Sequence, residues 1–208
     1  AGIFTNFSQD HLDYHKSMAK YLNAKLHLFR NVIKKGQVVI CDSTVKEFAL
    51  IKSISKKRKL KLIDSSKIAE KLKNNANLNL NEFQLKNLSM AIEAAKLNGL
   101  REDKIFSSLK KIKDVNGRLE LIRTFPNNVK VFVDFAHTPD ALEKTLKSLQ
   151  NYYGKDISLV FGCGGDRDFK KRPIMAKIAN INCKKIYVTD DNPRNEDPQK
   201  IRNEIIKN

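Results

Sequence analysis

The sequence has 208 residues, room for one large or two small domains, and its 41% hydrophobic content can fill a core, which excludes wholesale disorder. Its +17 formal charge is mostly scattered lysine, and with 8% aromatic residues and no tryptophan it offers no stacking platform for nucleic acid. No run approaches the roughly 18–20 apolar residues of a membrane span, and the opening AGIFTNFSQDHLDYH lacks a signal peptide's basic start and apolar stretch, so a cytoplasmic location is expected.

Residues 17–33, SMAKYLNAKLHLFRNVI, place apolar residues at helical spacing behind Ser17, a candidate N-cap. QVVIC (37–41) reads as a short strand, STVKEFALIKSI (43–54) as a helix, KLKLI (59–63) as a strand and 65–74 as a polar helix. The Asn-rich stretch 74–81 reads as a connector. NEFQLKNLSMAIEAAKLNGL (81–100) predicts a strong helix stopped by Gly99, and 101–112 one more. Cys41, Cys163 and Cys183 are odd in number and widely spaced, so free thiols are expected rather than disulfides or a zinc site.

The pattern then changes. VKVFVDF (129–135) reads as a buried strand, and TPDALEKTLKSLQNY (138–152) opens a helix with a Thr N-cap and Pro at the first position. Strands at 157–162 and 184–189 alternate with helices at 172–180 and 197–207. That alternation predicts a parallel sheet with helices on both faces, a fold that holds ligands at the carboxyl ends of its strands. Three polar clusters fall there: DFAHTPD, GCGGDRDFKKRP and TDDNPR.

GCGGDRD (162–168) combines three glycines, which let backbone N–H groups turn toward an anion, with Arg167, a bidentate donor for carboxylate or phosphate. A tight glycine turn beside a solvated arginine fits the same residues. In TDDNPR, Arg194 suits a carboxylate and Asp191 or Asn192 an ammonium group, so with Arg167 they suit a zwitterionic amino acid; turn punctuation is the plainer reading. His11 and His15 stand four apart near Asp10 and Asp13, but the Glu of HExxH is absent, and surface histidines fit equally well. Nothing local distinguishes Lys25.

Taken in order, TNFSQDHLDYH…YLNAKLHLF, GRLE (117–120), VDFAHTPDALEKTL (133–146), FGCGGDRD (161–168), KRP (171–173) and TDDNPR resemble the Mur ligase family, in its diaminopimelate-adding branch. The resemblance implies an α/β chain with part of a central ATPase domain over 1–116 and a Rossmann-like, mainly parallel C-terminal domain over 117–208. It implies an ATP-dependent amide ligase of peptidoglycan precursor synthesis that joins meso-2,6-diaminopimelate to UDP-N-acetylmuramoyl-L-alanyl-D-glutamate through an acyl phosphate. Its cofactors are then ATP and Mg2+, its partners those two substrates, with no nucleic acid and no membrane span.

Residue by residue, the resemblance implies His11 as a metal ligand and Lys25 as a carbamylated lysine that gives the metal an oxygen. A lysine is carbamylated only through its neutral amine, so its pocket should favour that form. Asn87, Arg118, Asp134 and His137 are implied to face the nucleotide, and Arg167, Asp191, Asn192, Pro193 and Arg194 the amino acid. Diaminopimelate carries a second carboxylate that lysine lacks, and the Arg of DNPR can read it bidentately. Where the family usually has a lysine, this chain has Phe169, with Lys170 or Lys171 as substitutes. The stretch 31–80 looks short for a central domain. No Walker loop occurs, so the chain reads as a fragment of a longer ligase, inactive alone. A lysine-adding or folylpolyglutamate synthase-like relative is the alternative enzyme, and a basic nucleic-acid-binding module the non-enzymatic one.

Overall fold

The computed structural model of the chain describes residues 1–73, 80–112 and 115–207, so most of the expected connector at 74–81 lies outside the described residues. In chain order, the first elements are β1 (Gly2–Phe4), α1 (Leu12–His15), α2 (Met18–His27), β2 (Val38–Cys41), α3 (Phe48–Arg58), β3 (Lys61–Asp64), α4 (Ser66–Lys73), α5 (Glu82–Leu97) and α6 (Glu102–Ser108). There follow β4 (Glu120–Thr124), β5 (Lys130–Val133), α7 (Pro139–Tyr153), β6 (Ser158–Phe161), α8 (Lys171–Asn182), β7 (Lys185–Val188) and α9 (Pro198–Ile206). Two units separate: Ala1–Phe7 with Ala19–Ile112, and Ser8–Met18 with Lys113–Asn208.

In the first unit, β1, β2 and β3 pair in parallel in that order, with Ile3 opposite Ile40 and Ile40 opposite Ile63. Val39, Cys41 and Ile51 are fully buried and pack with Phe4, Leu26 and Phe29 into one core. A second cluster joins Ile68 and Leu72 of α4 to Leu85 and Ile92 of α5 and Ile105 of α6. Helix α5 starts where the sequence places it because Asn81 and Gln84 cap each other. The Gln84 N–H donates to Asn81 Oδ1 and the Asn81 N–H to Gln84 Oε1, both at 3.0 Å. Past its end, Gly99 takes φ +83°, where a side chain is strained.

Differences from the expected elements have local causes. Helix α3 begins at Phe48 rather than 43, because Asp42 Oδ1 accepts the Thr44 N–H at 2.8 Å and holds the chain in a turn. Helix α2 stops at His27 and continues as a π-helical turn, Leu28–Val32. Strand β1 has three residues, too few to show a period. Strand β4 was not expected: it pairs antiparallel with β5, and four of its five residues are exposed, so it lacks the apolar face that marks a strand in sequence.

In the second unit β6 and β7 are parallel, Phe161 facing Val188, and Leu142 and Leu146 of α7 pack with Met175 of α8 and Ile201 and Ile205 of α9. Burying Leu146, 1% exposed, contributes about 2 kcal/mol. The N-cap of α7 is as expected, with the Ala141 N–H on Thr138 Oγ1 at 3.3 Å and Pro139 behind it.

All three cysteines are free. Burial, with Asp42 and Asp64 nearby, pushes the Cys41 thiol up to about 12, and burial pushes Cys183 to about 11. Cys163 is raised by burial as well. At about pH 8 the folded chain should therefore leave Cys41 and Cys163 unreactive toward a thiol-disulfide reagent that the unfolded chain consumes. The unfolded Cys41 ionises near its ordinary 9.0 and the folded one only near 12, so its contribution is complete below about 9 and lost as pH rises toward 12. Fast native-state labelling of Cys41 contradicts this burial.

Candidate functional site

In the second unit the sequence clusters become two interlocked loops, 162–170 after β6 and 189–197 after β7. The Gly165 N–H donates to the Asn192 carbonyl at 2.9 Å, and the Asp166 carboxylate accepts from the Asn195 side chain at 2.8 Å. The loops approach so closely that a Cβ on Gly162 falls 2.4 Å from the Thr189 carbonyl oxygen, and one on Gly165 falls 1.8 Å from that of Pro193. The glycines thus serve backbone approach, and the Gly165 N–H is committed to a carbonyl rather than offered to an anion.

Arg194 sits at φ +50°, on a turn closed by the Glu196 N–H on the Pro193 carbonyl at 3.0 Å. Its Nη1 donates to the Gly165 carbonyl at 2.7 Å, while the residue stays exposed. Asn192 Oδ1 accepts the Arg194 N–H at 3.2 Å, so that side chain shapes the turn. Asp190, which shares the acidic run, pairs with Arg202. Asp191 is exposed and Pro193 half-buried beside them.

Segment 8–18 belongs to this unit and brings His11 with it. Asp10 Oδ2 lies 3.3 Å from His11 Nε2 and 3.6 Å from His137 Nε2, so one carboxylate faces both imidazoles. Gln9 donates to buried Asp168 at 2.8 Å, and Arg167 lies 3.7 Å from Asp13. Asp134 spends both oxygens on structure, accepting the Leu119 N–H at 2.8 Å and the Ala136 N–H at 2.9 Å. Arg118 stacks over the Phe135 ring at 4.9 Å. Buried Lys171 donates to the His137 carbonyl at 2.8 Å, leaving exposed Lys170 as the lysine open to a ligand beside Phe169.

Lys25 and Asn87 lie in the first unit. Lys25 Nζ donates to the Asn6 carbonyl at 2.9 Å and faces the rings of Tyr21 at 5.2 Å and Phe4 at 5.7 Å. Asn87 is on the exposed face of α5. Asp64, at the carboxyl end of β3, accepts the Ser43 and Ser66 N–H groups at 3.0 Å; burial acts to raise its pKa, but these bonds hold it below the usual value. It closes a turn.

The sequence did not reveal a buried ionic cluster behind the loops. Arg172, 1% exposed, binds Glu196 through both terminal nitrogens at 2.8 and 2.9 Å, and Glu204 at 2.7 Å. Burial works against its charge, but the two carboxylates outweigh it and raise its pKa, while the Arg172 bond lowers that of Glu196. KRP marked Arg172 as part of a motif; its partners lie 24 and 32 residues away, beyond any local pattern.

These features define the class: an α/β chain whose polar loops cluster at the carboxyl ends of parallel strands, where such folds hold ligands. Residues 1–108 match the family described as Mur ligase middle domain, and residues 117–208 that described as Mur ligase, glutamate ligase domain. The chain belongs to the Mur ligase family. It is 41% identical over 226 residues to UDP-N-acetylmuramoyl-L-alanyl-D-glutamate–2,6-diaminopimelate ligase of Rickettsia montanensis, covering 98% of this chain and 46% of that protein. To the ligase of that name from Lactiplantibacillus plantarum it is 36% identical, with the same two coverages, 98% and 46%. The chain spans about half the length of the curated relatives it matches.

Among solved structures, one of a ligase with that name is 29% identical, with TM-score 0.53 over 98% of this chain and 46% of its own. Mycobacterium tuberculosis folylpolyglutamate synthase complexed with ADP gives TM-score 0.74 over 99% of this chain and 50% of its own, at 17% identity, which is a likeness of fold alone. Among the described residues no helix is long and apolar enough to cross a membrane, and no group of three His, Cys, Asp or Glu side chains could hold a metal.

Proposed function

We propose that the chain carries central-domain residues 1–116 and C-terminal residues 117–208 of an ATP-dependent ligase acting in the cytoplasm. It joins meso-2,6-diaminopimelate to UDP-N-acetylmuramoyl-L-alanyl-D-glutamate. The carrying observation is the exposed Arg194, fixed on a turn that is locked into the neighbouring GCGGDRD loop. A rigid, exposed guanidinium at a strand end suits a carboxylate read bidentately.

In the reaction, ATP transfers its γ-phosphoryl group to the glutamate carboxylate, giving an acyl phosphate and ADP. The amino group of diaminopimelate attacks the acyl carbon, phosphate leaves, and an amide remains after the nitrogen loses a proton. Arg194, Arg167 and Asp191 hold the ends of the incoming amino acid so that its amine meets the acyl carbon. From the family resemblance, Arg118, Asp134 and His137 of the second unit, and separately Asn87 of the first, are proposed nucleotide contacts. Mg2+ neutralises phosphate charge when bound. From the same resemblance, His11 in the second unit and a carbamylated Lys25 in the first are each proposed as a protein ligand that would give the ion a nitrogen or an oxygen.

Arg194→Ala in an active ligase containing this chain should raise the KM for diaminopimelate by about 30-fold or more, from loss of a charge pair. The KM for ATP should stay within about twofold. Steady-state ADP release with each substrate varied separately measures both. Equal losses for both substrates, or lysine used as well as diaminopimelate by the unaltered enzyme, overturn the assignment.

A further inference from the structure

Arg194 is exposed and its turn is short, so something beneath must hold it. Both loops and α9 converge on one guanidinium carried by α8. Arg172, the second residue of α8, is the largest fully buried side chain of the described residues. Its Nη1 and Nη2 grip the two oxygens of Glu196 as a fork, and Nη1 also reaches Glu204 on α9. Nη2 lies 3.4 Å from the Gly164 carbonyl of the first loop.

Glu196 is the pivot. It stands two residues after Arg194 and directly before Asp197, the N-cap of α9. Oε1 accepts the Asp166 N–H at 2.6 Å as well as Arg172, so one carboxylate ties both loops to the start of α8. Its own N–H closes the turn that carries Arg194. Moving Glu196 therefore moves the turn and the Gly165 carbonyl on which Arg194 rests.

We propose that Arg172, acting through Glu196, is a positioning residue that sets the Arg194 turn and so the geometry of the amino-acid pocket, without touching the substrate. Glu204 reaches the same guanidinium from α9 through Nη1, whereas Glu196 takes both terminal nitrogens, so losing the Glu204 charge leaves the fork in place. The inference rests on the proposed amino-acid role of Arg194. Its structural half stands apart from that role.

Three variants separate the possibilities in an active ligase containing this chain. Glu196→Gln removes the charge of a side chain that is 25% exposed, Arg172→Lys keeps the charge but loses the fork, and Glu204→Gln strips the cluster on its other side. Hydrogen exchange at the Asp166 and Glu196 amides should accelerate by about tenfold or more in the first two, while α7 amides keep their rates. In the same two variants the KM for diaminopimelate should rise by about tenfold or more, with the KM for ATP within about twofold, because small displacements at a site carry large rate costs. Glu204→Gln should change neither.

Unaltered exchange at Asp166 and Glu196 overturns the proposal, as does an equal effect of Glu204→Gln, which marks a merely structural cluster. Faster exchange with an unchanged diaminopimelate KM overturns the link to the pocket. If Arg172→Lys does not fold, Glu196→Gln decides alone. Failure of Arg194→Ala to affect diaminopimelate, with exchange accelerated as expected, sinks the functional reading and not the loop mechanics.

Discussion

Lys25→Ala is expected to abolish turnover in an active ligase containing this chain, lowering kcat by about a thousandfold or more, the scale of removing a group that organises charge at a reacting centre. The lysine stands on α2, half-buried, with its Nζ on the Asn6 carbonyl and between two aromatic rings. Those neighbours confine the end of the side chain to one place, close to the exit of β1. A carbamate there presents two oxygens where the amine presented hydrogens, and alanine presents neither. Short carboxylates such as formate or acetate, added at high concentration, should restore part of the lost activity by entering the space left. Mass measurement of the intact protein at neutral pH with added bicarbonate should show a 44 Da adduct on the unaltered chain and none on the variant, independent of turnover. Wild-type activity in Lys25→Ala excludes the carbamate role.

How far the sequence carried the fold depended on where the decisive contacts lie. Helices α5 and α7 were legible because their caps, Asn81 with Gln84 and Thr138 with Pro139, sit within four residues of their starts. Strands β6 and β7 were legible from β-branched and aromatic runs bounded by turn residues. β4 was not, since it pairs with β5 while leaving its side chains exposed, and β1 offers three residues. Arg167 and Arg194 drew attention in sequence because each falls in a polar cluster after a predicted strand, although a plain turn fitted the same residues. The glycines themselves were misjudged locally: their backbone N–H groups looked free for an anion, whereas Gly165 is turned onto Asn192. Arg172 and Glu196 were invisible as a pair, being 24 residues apart in sequence and joined only by the fold. Nothing around Lys25 in sequence separates it from any helical lysine; only the ordered motifs of the family resemblance singled it out.

Gly165→Ala is expected to be the most damaging small change in the second unit. A methyl group at Gly165 falls 1.8 Å from the Pro193 carbonyl oxygen and 2.6 Å from its carbon, both backbone atoms that no side-chain rotation can move. The strands behind the loops are fixed by the β6–β7 register, Phe161 against Val188, so relief requires parting the loops themselves. That breaks the Gly165 to Asn192 bond and withdraws the carbonyl holding Arg194. The expected cost is about 3 kcal/mol or more, from overpacking against backbone, with diaminopimelate affinity lost in any folded fraction. Gly36→Ala supplies the contrast. Gly36 has φ +80° but nothing within 4 Å of a new Cβ, so it should lose only about 1 kcal/mol, from strained backbone. Urea unfolding of both variants, followed by helical circular dichroism, compares them directly. A Gly165→Ala protein as stable as Gly36→Ala, and still binding diaminopimelate like the parent, contradicts the interlocked loops from which the amino-acid pocket is inferred.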